Sequence, residues 1–127
     1  SDVDRHAATT GDTEWFHTDR NRAVASPFGD TIVQGFLLLS QLTRMADSIS
    51  LPIENAEYLL NYGFDRVRIV QPVAVGSRVK GRFELTGVSQ KGQHGLLIHL
   101  DTGIWVEGDD VAPAVVGEWL VYARIRG

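Results

Sequence analysis

The sequence predicts an α+β fold in which an antiparallel β-sheet wraps around one long central α-helix. Two observations carry that expectation. In the first half of the chain an apolar stretch of helical length (Ile32, Val33, Phe36, Leu37, Leu38, Leu39, Leu42) has no polar side, so a helix built on it is buried on most sides. The second half is a series of alternating apolar and polar residues broken by short turn signals, the pattern of antiparallel neighbours. At 127 residues, 43% apolar and 22% charged, the chain has the size and composition of one globular domain spanning residues 1–127.

The elements follow in order. Ser1 is a helix N-cap, Asp2 and Asp4 suit a first turn, and Gly11 is a C-terminal stop, so a short helix ends near Thr10. Asp19 can cap a further turn over Arg20 to Ala23, which Ser26-Pro27-Phe28-Gly29 breaks. The long helix is expected from Asp30 or Thr31 to about Asp47. A first strand carries Val67 and Ile69 between Arg66 and Arg68, with Gly63 a bulge. Val79, Phe83 and Leu85 mark a second, Leu96 to Val106 a third, and Val115, Trp119, Val121 and Ile125 the last. Turns fall at Gln71-Pro72, Val75-Gly76-Ser77, Lys91-Gly92-Gln93 and Gly108-Asp109-Asp110.

Composition excludes several classes of function. The net charge of -4 is mild and the Lys and Arg residues are scattered, which argues against nucleic acid as a partner. There is no cysteine, hence no disulfide framework, no thiolate nucleophile and no cysteine-rich zinc site, and a cytoplasmic location is expected. The longest apolar run is too short to span a bilayer, so no membrane partner is expected. No signal peptide precedes it, and the chain opens on Ser1 without a methionine, as if an upstream segment were removed or never included.

Two features could carry chemistry. Asp12 and His17 are five residues apart, which does not place them on one helix face, but the break at Gly11 lets the chain turn and bring the side chains together. A carboxylate beside an imidazole, whose unperturbed pKa is roughly 6.5, is a general acid–base couple that can polarise water. Taken alone, the spacing favours a turn-capping Asp12 and a satisfied loop His17, since short patterns match by chance. Gly35 sits near the start of the apolar helix, where backbone N–H groups lack intrahelical partners and could hold a carbonyl oxygen. The alternative is that glycine is there for close packing against a strand.

Ala7 to Asp19, with Arg22-Ala23, Pro27-Phe28-Gly29, Ile32 and Gly35-Phe36-Leu37, resembles the signature of the MaoC-like dehydratases, the R-specific enoyl-CoA hydratases. Asn61 to Arg68, Pro72 to Ser77, and Pro113-Ala114 leading into Glu118-Trp119-Leu120 resemble that family as well, so the match spans nearly the whole chain. The resemblance implies a hot-dog fold, a homodimer with sheets side by side, and an acyl-CoA thioester substrate. It implies that Asp12 and His17 hold a water that attacks C3 of a trans-2-enoyl-CoA, that the Gly35 amide binds the thioester carbonyl, and that the product is a (R)-3-hydroxyacyl-CoA. No metal or organic cofactor is implied beyond the coenzyme A of the substrate.

The chain departs from the family pattern in places. Family members often carry His-Gly where this chain has Gln34-Gly35, and an amide can hydrogen-bond but cannot titrate. His6 falls where a phenylalanine is common, and the family usually has a strand before the first helix. Trp15 and Phe36, with Phe28 and Tyr62, are candidates to line an acyl pocket or to be plain core. His94 and His99, and the arginines 66, 68 and 82, are expected to face water. Two other readings compete: a hot-dog acyl-CoA thioesterase, and a non-catalytic acyl-thioester-binding partner subunit. Fold alone does not separate them.

Overall fold

A computed structural model describes residues 1–47, 49 and 53–126. Helix α1 (Asp2–Thr10) begins as its capping residues dictate: the Ser1 hydroxyl accepts a hydrogen bond from the Asp4 N–H, and Asp2 and Asp4 sit at the positive end of the helix dipole. It ends because Gly11 adopts φ 78°, a left-handed conformation that closes the helix with a bond from its N–H to the Ala7 carbonyl. Two short helices follow, α2 (Trp15–Thr18) and α3 (Arg20–Val24), the second capped by the Asp19 carboxylate accepting from the Arg22 N–H.

The single long helix expected over residues 30–47 is not what forms. Helix α4 runs Gly35–Ser40 and α5 runs Leu42–Ala46. Residues 31–34 are extended: the Val33 N–H donates to the Val73 carbonyl, the Val75 N–H donates to the Thr31 carbonyl, and Ile32 bridges Ala74. The β-branched side chains of Thr31, Ile32 and Val33 favour this extended backbone and oppose a helix start. At Gln41 the N–H donates to the Leu38 carbonyl, a tighter i→i−3 bond that separates α4 from α5. Nor is the pair buried on most sides, since only Leu38 and Leu42 are fully enclosed and Phe36 is 76% exposed.

Four strands complete the fold: β1 (Ala56–Ile69), β2 (Val79–Lys91), β3 (Gly95–Val106) and β4 (Val115–Ile125). They form one antiparallel sheet in the order β1-β4-β3-β2. The register shifts between Asn61 and Gly63, where a bulge was expected, and again between Asp65 and Arg68. Because side chains alternate across the pleat, one face carries Ile98, Leu100, Ile104, Trp119, Val121 and Ala123, and these pack with Leu38 and Leu42 of the helices. The opposite face carries His99, Asp101 and Glu118. At roughly 25 cal/mol per Å² of apolar surface removed from water, the helix-facing cluster is the main favourable term holding α4 and α5 on the sheet.

Candidate active site

Asp12 and His17 do meet. The turn released by Gly11 places Asp12 Oδ2 3.7 Å from His17 Nε2, with the imidazole 7% and the carboxylate 41% exposed. The ring is fixed by its other nitrogen. His17 Nδ1 lies 2.6 Å from the Ile32 carbonyl oxygen, which can only accept, so Nδ1 carries the hydrogen and the Nε2 of the neutral ring presents its lone pair. Nε2 and the Asp12 carboxylate are then two acceptors facing each other at a separation too long for a direct hydrogen bond. A donor with two O–H groups satisfies both, and water is the simplest.

Ile32 also holds the site together from the main chain, because its N–H donates to the Phe16 carbonyl at 2.8 Å. Gly35 follows three residues later, so the first turn of α4 begins within about 11 Å of this anchor along the chain. The Leu38 N–H is the one that closes back on the Gln34 carbonyl, which leaves the Gly35 N–H in the first turn without an intrahelical partner. Packing also accounts for the glycine: a Cβ at Gly35 would sit 3.0 Å from Ile69 Cγ1. Both explanations of Gly35 therefore have a physical basis.

Gln34 is fully buried. Its Nε2 donates to the Val3 carbonyl at 3.0 Å, tying α4 to α1, while its Oε1 has no hydrogen-bond partner among the described residues. The amide orientation is fixed by that carbonyl, which cannot donate. Trp15 and Phe28 form an aromatic group with Phe16, whose ring centroid lies 4.6 Å from that of His17, and the Arg22 guanidinium stacks 4.2 Å over Trp15. Trp15 is thus beside the pair, whereas Phe36 is turned to the surface. Tyr62, also exposed, lies on β1 under the Lys91 ammonium.

Two cavities of about 510 Å³ flank the helices, and neither is lined by Asp12 or His17. One lies between α1, α4 and the segment Val73 to Val79; the other lies between α5 and the helix-facing side of β1 and β4. Among the described residues no group of three or more His, Cys, Asp or Glu side chains is placed to hold a metal ion, and no helix is long and apolar enough to cross a membrane.

The expectation that His99 faces water is corrected. Its side chain is 27% exposed, and both ring nitrogens are engaged, Nδ1 with Glu118 Oε1 at 2.8 Å and Nε2 with Ser89 Oγ at 3.2 Å. Arg66 is mostly exposed but ion-paired with Glu118, and Arg82 lies over the Trp105 ring while pairing with Asp110. The Glu118 carboxyl is held below the usual carboxylate range, first by its hydrogen bond to His99 and, against the cost of desolvation, by Arg66. Alternation along a strand reports which face a residue occupies but not its neighbours across the sheet, so this cluster had no signal in the sequence.

Fold and pair together define an α+β protein in which a carboxylate and an imidazole meet three residues' reach from a helix start. Known proteins share this plan. The model of the MaoC-like domain matches residues 1–102. A 3-hydroxyacyl-thioester dehydratase Z from Mycobacterium tuberculosis is 38% identical over 120 residues, covering 94% of this chain and 78% of the relative. A nodulation protein N from Rhizobium leguminosarum bv. viciae is 40% identical over 119 residues, covering 93% of this chain and 73% of the relative. The solved structure of an (R)-hydratase from A. caviae involved in PHA biosynthesis superimposes with a TM-score of 0.74 at 28% identity, covering 94% of this chain and 83% of that one. The chain belongs to the MaoC-like dehydratase and hydratase family, and its fold is the hot-dog fold.

Proposed function

We propose that this protein adds water to a trans-2-enoyl-CoA thioester to give a (R)-3-hydroxyacyl-CoA, or runs the reverse dehydration. The observation that carries the reading is the 3.7 Å approach of Asp12 Oδ2 and His17 Nε2, with the ring locked by the Ile32 carbonyl. A water donating to both acceptors has its oxygen lone pairs directed away from them, toward an approaching C3. As the C3–O bond forms, one proton passes from the water to the pair, and a proton is delivered from the pair to C2. The other water hydrogen remains as the 3-hydroxyl. The Gly35 N–H binds the thioester carbonyl and stabilises the enolate-like charge that builds on it, a contribution worth about 3 kcal/mol for one such donor. Gln34 positions this helix start against α1, and Trp15 walls the site.

The working unit in this reading is a homodimer. β1 is an edge strand with one free side, and its Tyr58, Leu60 and Tyr62 are each about half exposed, an apolar row that a second copy can cover. Phe36, exposed on the chain alone, is a candidate to line the acyl channel once that partner is in place.

Loss of the conjugated-thioester absorbance of crotonyl-CoA tests the reaction. Wild-type protein is expected to consume the substrate at a rate unchanged by a metal chelator. Asp12→Asn and His17→Ala are each expected to lower kcat at least about 100-fold, the usual scale for a general acid–base group, with the circular dichroism unaltered. Wild-type rates in both variants would remove these residues from the reaction.

A further inference from the structure

On the face of the sheet opposite the helices, Ser89 of β2, His99 of β3, Glu118 of β4 and Arg66 of β1 form a line that crosses all four strands. From this line we infer that Ser89, His99 and Glu118 form a second, nucleophilic site that takes acyl groups from small activated esters and thioesters. It is separate from Asp12 and His17 and does not depend on the function proposed for them.

The roles follow from donor and acceptor chemistry. Glu118 is ionised at neutral pH, held below the usual carboxylate range chiefly by its bond to His99, and an ionised carboxylate can only accept. The hydrogen of the neutral His99 ring therefore sits on Nδ1, 2.8 Å from Glu118 Oε1. Its Nε2 is left as the base, 3.2 Å from Ser89 Oγ, so the hydroxyl donates to the ring. The main chain at His99 is tied to β2 as well, since the Thr86 hydroxyl donates to the His99 carbonyl at 3.3 Å. Arg66 engages the other carboxylate oxygen and keeps Glu118 aimed. A hydroxyl bonded to an imidazole that is oriented by a carboxylate is the arrangement that activates a serine.

The site is reachable. Ser89 is exposed, and a cavity of about 250 Å³ is lined by Thr86, Gly87, Val88, Ser89, His99 and Glu118. The strand that carries Ser89 is the last of the sheet, and the register shift between Leu85 and Gly87 interrupts its ladder beside the serine. As β2 is an edge strand, backbone N–H groups on the side away from β3 have no strand partner.

In the reaction, Ser89 Oγ bonds to the acyl carbon and gives its proton to His99 Nε2. The bond from that carbon to the leaving sulfur or oxygen breaks, and the leaving group takes the proton from Nε2. Water then attacks the acyl-serine with His99 again as base, releasing the carboxylic acid and restoring the hydroxyl. The sum is ester or thioester plus water giving acid plus alcohol or thiol.

The full chain, treated with a fluorophosphonate and digested for mass spectrometry, provides the test, with p-nitrophenyl acetate turnover measured in parallel. Phosphonylation is expected on Ser89, absent in Ser89→Ala, and slowed at least tenfold in both His99→Gln and Glu118→Gln, with p-nitrophenol release falling in step. Asp12→Asn should label normally, and Ser89→Ala, at an exposed position, should keep wild-type crotonyl-CoA hydration. Label found only on other residues, or Ser89 labelled equally fast in a folded His99→Gln, would overturn the inference.

Discussion

The ring of His17 has one orientation open to it, because Nδ1 is 2.6 Å from a carbonyl that can only accept. That carbonyl belongs to Ile32, and a main-chain partner leaves no mark in a sequence. The approach of Asp12 and His17 was legible, since Gly11 breaks the helix between α1 and the pair; what fixes the tautomer was not. Gln34 is another residue whose consequence appears only in three dimensions. Burying Oε1 without a donor costs the desolvation of that atom, whereas Val3 keeps its helical partner if the side-chain amide is removed. Gln34→Met is thus expected to change stability by less than about 1.5 kcal/mol, the range for volume-conserving core exchanges, as read by urea denaturation. Glu118 gives a pH prediction. Its folded pKa is depressed, so it adds stability above its unfolded value, and that contribution is lost as pH falls through the lower folded value. Below the ordinary glutamate value of 4.5, the thermal midpoint should therefore fall less steeply with acid in Glu118→Gln than in wild type.

Among the elements, β2, β3 and β4 were legible because period-two alternation runs along them and ends at glycine-containing turns, whereas the first strand was marked only near Gly63 and Arg66 to Ile69 and in fact begins at Ala56, with a burial pattern that does not alternate. The central helix was read too long at its start. Thr31 reads as a polar cap and Ile32 and Val33 as the start of the apolar helical pattern, yet their β-branched side chains and two main-chain bonds to Val73 and Val75 hold the three extended. The helix that remains begins at Gly35, packed on Ile69. Gly35→Ala forces Ile69 aside or shifts α4, an overpacking cost of about 1–3 kcal/mol, and is expected to lower kcat/KM roughly tenfold by moving the first-turn amide. Adding Ile69→Ala should recover most of that loss if displacement is the cause, a coupling a double-mutant cycle measures directly.

At the level of the whole molecule, the sheet is covered on one face by α4 and α5 and left with an apolar edge along β1. Edge strands of that length and character invite pairing, and no single-chain alternation could say with what. A charge in the row is the test of the proposed homodimer: wild type is expected to sediment as a dimer, and Leu60→Lys as a monomer with lowered hydration. An unchanged dimer would place the contact elsewhere. Family membership came from ordered residues along nearly the entire sequence, while the polar line from Arg66 to Ser89 needed the sheet to be assembled before it existed.

The central claim, that Asp12 and His17 direct a water onto C3, is tested most directly by turnover of crotonyl-CoA in oxygen-18 water with chiral separation of the product. The account predicts (R)-3-hydroxybutyryl-CoA with the heavy oxygen at C3, and none from Asp12→Asn. Heavy oxygen confined to a free carboxylate, with nothing at C3, would contradict it.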